Sequence, residues 1–178
     1  MPDKQENTEN FAGFYDKHVK KIFNFIYYKT HHKETAEDLT QETFMKALDS
    51  FKNFDLKKGK FSTWLYQIAR NTVIDFYRTK KNFVNVDDVW DLAGKENILR
   101  DLDVSGKLKD VEKYLAKLKP EQREIVILRV WEGYSYKEIA EILGKNEVNC
   151  RVVFSRTIHT LKNEMPLSVF IAMLLFRF

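Results

Sequence analysis

Residues 135–162 read SYKEIAEILGKNEVNCRVVFSRTIHTLK, and the spacing within this stretch predicts two short helices joined by a tight turn. Ser135 and Glu138 form a capping box, in which the Ser oxygen accepts from the third backbone N–H and the Glu carboxylate reaches back. Ile139, Ala140, Ile142 and Leu143 follow at helical spacing, and Gly144 stands where a helix ends in a left-handed residue. Asn146 can cap the next helix, whose inward positions read Cys150, Val153, Phe154, Ile158 and Leu161. Ala140 is small enough for a close helix crossing. The layout is that of a helix-turn-helix.

The outer face of the second helix carries Asn149, Arg151, Val152, Ser155, Arg156 and His159. From Val148 to Asn163 there are three basic residues and no acidic ones, which suits a helix lying in a major groove. Asn matches adenine edges and Arg matches guanine edges, whereas Val152 can touch only a thymine methyl or a sugar. Few base contacts are therefore expected. A plain helical hairpin in a bundle core would show the same inward periodicity, and this stretch alone leaves that alternative open.

The 178-residue chain is 44% hydrophobic and 31% charged, enough apolar material for one ordinary domain or two small ones. Six Gly and three Pro are too few for a turn-rich β sandwich. A single Cys excludes an internal disulfide framework and fits a reducing compartment. Met1 to Asn10 is polar with three acidic residues, unlike a secretory signal, so a cytoplasmic location is expected. His18, His31, His32, His159 and Cys150 form no metal-ligand spacing. No phosphate-cradling Gly loop, nucleophile elbow or paired catalytic carboxylate is present, so no catalytic residue, cofactor or metal is expected.

Three more helical stripes precede the acidic middle of the chain. The first is Phe11, Phe14, Tyr15, Val19, Ile22, Phe23 and Ile26. The second is Ala36, Leu39, Thr43, Ala47, Leu48 and Phe51, with Thr35 as its expected cap. The third, after Gly59, is Phe61, Leu65, Ile68, Ala69, Thr72, Val73 and Phe76. Residues 57–81 carry a local net charge of +6 and residues 85–104 one of −4. A nucleic-acid-facing helix followed by a connector that stays clear of the nucleic acid would have this pattern. Beyond it, Leu108, Val111, Leu115 and Leu118 form one helix, and Pro120 opens another through Ile125, Val126, Leu128 and Trp131 to Gly133. The fold class is all-α: two small helical domains joined by an acidic linker, the second containing the helix-turn-helix. The expected boundaries are 8–82, a linker 83–106, 107–165, and an apolar tail 166–178.

The string Ala36-Glu37-Asp38-Leu39-Thr40-Gln41-Glu42-Thr43-Phe44 resembles the core-polymerase-binding helix of bacterial sigma factors, typically AEDLxQExF. Phe61-Ser62-Thr63-Trp64-Leu65-Tyr66-Gln67-Ile68-Ala69-Arg70-Asn71 resembles their promoter-melting helix, continuing to Asp75, Phe76, Arg78 and Lys80. Leu118-Lys119-Pro120-Glu121-Gln122-Arg123-Glu124 and the Tyr134 to Gly144 stretch resemble their C-terminal domain. With no further domain between the halves, the chain resembles the compact extracytoplasmic-function (ECF) type over residues 10 to 163.

That resemblance implies a sigma factor, not an enzyme: it binds core RNA polymerase, recognises promoter DNA and promotes strand opening. Asp38, Leu39, Gln41, Glu42, Phe44 and Met45 would dock on the polymerase. Lys60, Phe61, Trp64, Arg70, Asn71, Asp75, Arg78, Lys80 and Lys81 would handle the melted minus-ten strand, by phosphate contact and aromatic stacking. For Trp64 and Tyr77, burial as core is the competing reading. Ser135, Lys137, Asn149, Arg151, Ser155 and Arg156 would meet the minus-thirty-five duplex. An anti-sigma factor is an implied partner, and no small-molecule substrate is implied. The alternative is a helix-turn-helix regulator that binds duplex DNA without joining the polymerase. The Asp38 to Phe44 string argues against it, because such a regulator needs no such surface. A nucleic-acid-processing enzyme would need converging carboxylates, which Asp75 alone does not supply.

Two features depart from the family pattern. Its recognition helix often reads GTVKSRLxRA, whereas here Val152-Val153 replaces the usual Ser-Arg pair. Val169 to Phe176 are eight consecutive apolar residues. Twelve helical residues reach roughly 18 Å, short of the roughly 30 Å hydrocarbon layer, so no transmembrane span is expected. Packing back on the fold, docking on a partner or resting on a membrane surface are the placements open to this tail, as is an origin in an altered reading frame.

Overall fold

A computed structural model describes residues 4–30, 32–55, 59–81 and 106–175. Every regular element among them is helical. The chain divides into two compact units, Met1–Val84 and Asn85–Phe178. Most of the acidic linker, Lys57, Lys58, His31 and the last three residues lie outside the described residues, as do the side chains of Lys80, Lys81 and Leu108.

The first unit comprises α1 (Lys4–Thr30), α2 (Lys33–Phe51) and α3 (Phe61–Lys81). Phe25, Ile22, Ile26, Leu65, Tyr66 and Val73 are almost fully buried. Tyr15, expected on the inner stripe, is 42% exposed, while Phe25 and Tyr27 are buried instead. The second helix begins at Lys33, ahead of the expected cap. His32 is its N-cap, and its Nδ1 accepts the Thr35 N–H at 3.2 Å. Thr40 and Thr43 enter the core with their hydroxyls satisfied, donating to the carbonyls of Ala36 (2.6 Å) and Leu39 (2.7 Å).

The second unit comprises α4 (Gly106–Lys117), α5 (Pro120–Val126), α6 (Tyr136–Leu143), α7 (Glu147–Glu164) and α8 (Leu167–Leu175). Arg123 closes the C-terminus of α4 by donating to the carbonyls of Leu115, Ala116 and Leu118 at 2.9–3.3 Å. The helix opened by Pro120 does not stay regular to Trp131 as expected. Ile127–Trp131 forms a π turn, with the Glu132 N–H reaching the Ile127 carbonyl five residues back. Ile125, Val126, Ile127, Leu128 and Trp131 are all buried there. The apolar tail forms α8 and packs back against α4 and this π turn, burying Val169, Phe170, Ala172 and Met173. No helix among the described residues is long and apolar enough to cross a membrane.

Candidate functional site

In the first unit, α2 divides into an inner and an outer face. Ala36, Leu39, Thr40, Thr43, Phe44 and Ala47 are buried, whereas Asp38, Gln41, Glu42 and Met45 are exposed. Leu39 and Phe44 therefore belong to the core, contrary to their expected place on the docking surface, because they share the inward stripe with Ala36 and Ala47. Leu48 was expected in the core but is 48% exposed. It follows Met45 by one turn, and Met45 is 61% exposed. The outer face is thus acidic at its N-terminal end and exposes Met45 and Leu48 further along, beside Asp49. Tyr15 flanks it from α1, its ring 4.7 Å from that of Phe44. Lys46 pairs with Glu42 at 2.7 Å, within the half-exposed rim of this face.

Phe61 was expected to meet a nucleic-acid strand, yet it is 4% exposed. Its ring stacks on Phe14 at 4.2 Å and meets Phe11, Phe51 and Phe54 edge-on. The aromatic residues that begin α3 are drawn together by their own apolar area. Trp64 is partly exposed and stacks on Phe54 at 4.7 Å, which covers one face of its indole. Tyr77 donates its hydroxyl to the Lys29 carbonyl at 3.2 Å, tying the end of α3 to α1. Asn71, Asp75 and Arg78 lie on one side of α3 at helical spacing, and Arg78 pairs with Asp75 at 2.9 Å. Lys60 and Asn71 are exposed, and Arg70 is partly buried.

In the second unit both caps of the helix pair form as expected. Ser135 Oγ accepts the Glu138 N–H at 3.3 Å, and Glu138 Oε2 accepts the Ser135 N–H at 2.8 Å. The Ser135 hydroxyl also donates to Glu138 at 2.7 Å, so this candidate DNA ligand is committed to capping. Gly144 has φ +64°, the left-handed conformation that its position in the turn requires. Asn146 Oδ1 accepts the Val148 N–H at 2.8 Å, opening α7. Cys150, Thr157 and Leu161 line the buried side of α7. Burial pushes the Cys150 thiol up, and the Glu121 carboxylate adds to the effect, so the thiol stays protonated and serves as packing.

Lys137, Asn149, Arg151, Ser155 and Arg156 are exposed. Arg151 pairs with Glu147 at 3.2 Å and lies 5.3 Å from the centre of the Tyr136 ring, which Arg129 approaches to 4.9 Å. Sequence reasoning did not single out Tyr136, Arg129 or Glu147. Glu147 stands four residues before Arg151, the one readable signal for that pair.

The Sigma-70 region 2 family model matches residues 14–83, and the Sigma-70, region 4 model matches residues 108–161. RNA polymerase sigma factor YlaC of Bacillus subtilis is 33% identical over 169 residues, covering 92% of this chain and 96% of that protein. The chain belongs to the ECF RNA polymerase sigma factors. ECF RNA polymerase sigma factor BldN of Streptomyces coelicolor is 32% identical over 167 residues, and this sigma factor spans 61% of BldN's length. The sigma factor RpoE of Bartonella quintana, solved with the anti-sigma factor NepR, shares its fold at TM-score 0.70, with 24% identity over 87% of this chain and 96% of that one. Region 2 takes in the outer face of α2 and the aromatic-basic α3 of this sigma factor. Region 4 takes in its helix-turn-helix.

Proposed function

We propose that this sigma factor docks on core RNA polymerase through Asp38, Gln41, Glu42, Met45 and Leu48, with Tyr15 at the edge. The carrying observation is that α2 leaves these side chains outward while all its remaining apolar residues pack inward. An acidic patch with an apolar rim suits a basic helical surface, the polar groups giving register and the apolar ones affinity.

On α3, Lys60, Arg70, Arg78, Lys80 and Lys81 would hold phosphates of the separated minus-ten strand. Asn71 and Asp75 would meet its bases, and the open face of Trp64 would stack on one of them. Capture of unstacked bases offsets melting, which costs about a few kcal/mol per step. On the second unit, Lys137, Asn149, Arg151, Ser155 and Arg156 would hold the minus-thirty-five duplex. The polymerase performs the chemistry, and no residue of this chain is assigned a catalytic role. The partners are core polymerase, promoter DNA and an anti-sigma protein, the last supported by the complex in which RpoE was solved. The location follows the polymerase, in the cytoplasm.

The test combines the purified chain with bacterial core polymerase on a genomic template pool. Specific transcription starts are expected. Asp38→Lys with Glu42→Lys should weaken co-purification with core enzyme while circular dichroism stays helical. Duplex binding without any association with polymerase would instead favour the regulator reading.

A further inference from the structure

The recognition helix α7 carries an apolar pair at the centre of its outer face. Val148 is 65% exposed and Val152 is 40% exposed. At 100° per residue, these two and Ser155 lie opposite the buried line of Cys150, Thr157 and Leu161. Asn149 and Arg156 flank the pair on one side. Arg151 flanks it on the other, where Glu147 at 3.2 Å and the Tyr136 ring at 5.3 Å hold its guanidinium. The centre of the face is thus apolar in its N-terminal half, continues as exposed Ser155 and His159 towards the C-terminus, and has polar or basic margins.

Stability does not account for this arrangement. Valine loses rotamer freedom in a helix and is poorer there than alanine or lysine, so two exposed valines one turn apart weaken α7. Neither side chain is in the core of its own unit. Among base edges in a major groove, the C5-methyl of thymine is the one apolar feature, and small apolar side chains are its complement. Basic margins fit the phosphates on either side of the groove.

We infer that Val148 and Val152 are specificity-determining residues that read thymine methyl groups in the upstream promoter duplex. This rests on the proposal that α7 lies in the major groove. It adds the base class read there and makes the central contact one of methyl burial, with Arg151 acting from the margin.

Deoxyuridine provides the test, because it pairs as thymine does and lacks only the methyl. Sites are first selected from a random duplex library with the full chain in complex with core polymerase. Each thymine of the selected upstream element is then replaced singly by deoxyuridine. At one or more positions the native protein should lose about fourfold in affinity per methyl, the worth of one buried carbon. Val148→Ala and Val152→Ala, which raise helix propensity and so keep the fold, should each erase the thymine-over-uracil preference at a particular position. Arg156→Ala should weaken both duplexes and keep the preference. The inference is overturned if the native protein binds both bases equally at every position, or if both alanine variants keep the full preference. It is also overturned if those variants instead lose the polymerase, which would make the pair a protein-docking surface. Selection of no upstream sequence, with duplex binding independent of salt, would sink the groove reading itself.

Discussion

Trp131 donates its indole N–H to the main-chain carbonyl of Met173, 3.0 Å away and 42 residues later in the chain. Both residues are buried, Met173 completely. The bond joins the π turn to the tail helix, so the tail is part of the DNA-binding unit's core. Met173→Ala should cost about 2–5 kcal/mol by leaving a cavity. Trp131→Phe should cost about 1–3 kcal/mol, chiefly by stranding a buried carbonyl. Native-state hydrogen exchange on α6 and α7 reads both effects. Unaltered protection there would make the tail an appendage.

Ser135 caps α6 in the free protein, and one pair of variants separates that role from DNA contact. As an N-cap it contributes about 1 kcal/mol, which Ser135→Ala should remove. Ser135→Asp should restore part of the cap, less the repulsion from the Glu138 carboxylate 2.7 Å from the native hydroxyl, and should reduce duplex affinity if α7 lies in the groove as proposed. If Ser135→Ala instead left stability untouched and weakened only DNA binding, the hydroxyl would be a ligand after all.

Much of this molecule was legible because local chemistry agreed with the final fold. The Ser135–Glu138 box, Gly144 and Asn146 sit where their side chains or backbone freedom demand, independent of distant residues. Less legible were features set by tertiary neighbours. Leu48 and Phe44 are both large and apolar on the same helix, and only the angular position relative to Ala36 and Ala47 separates the exposed one from the buried one. Phe61 stands among basic residues, which suggested a nucleic-acid role. Its four phenylalanine neighbours come from α1, the end of α2 and the segment after it, and no local pattern announces their convergence. The π turn leaves no sequence mark that periodicity detects. His32 capped α2 because a ring nitrogen can replace a hydroxyl, a substitution that the usual list of capping residues omits.

Leu48 offers a sharper probe of the proposed polymerase surface than the acidic residues, since its exposed side chain supports no core. Leu48→Asp should weaken association with core polymerase on the order of tenfold, about 1.4 kcal/mol, while leaving the unfolding midpoint within experimental scatter. Titration of labelled core enzyme against the variant measures it. Native affinity would remove Leu48 from the docking surface and confine that surface to the acidic end.

Arg151 engages Glu147 and Tyr136 in the free protein, so its contribution to DNA binding has an electrostatic signature of its own. If it reaches a phosphate, Arg151→Ala should lower duplex affinity and reduce the slope of log affinity against log salt by about one. Glu147→Gln should act in the opposite sense, releasing the guanidinium and strengthening binding most at low salt. An unchanged slope in both variants would take Arg151 out of the backbone contacts.

His18 links the stability of the first unit to pH. Its ring is buried against Phe61, 5.8 Å between centres, and Nδ1 has no hydrogen-bond partner among the described residues. Burial, followed by the charges of Lys17 and Lys21, lowers its pKa below the ordinary 6.5. The folded protein therefore takes up this proton less readily than the unfolded chain. Where the unfolded chain binds more protons, stability rises with pH. The contribution is full above about pH 6.5, declines as pH falls below that value, and levels off beneath the folded pKa. Hydrogen exchange of α1 and α3 amides, corrected for intrinsic rates, should show smaller opening free energies at pH 5.5 than at pH 7.5. His18→Phe keeps an aromatic ring against Phe61 and removes the titration, so its remaining pH dependence should be shallower by the His18 share. Equal slopes for the two proteins would show that His18 is not the group responsible.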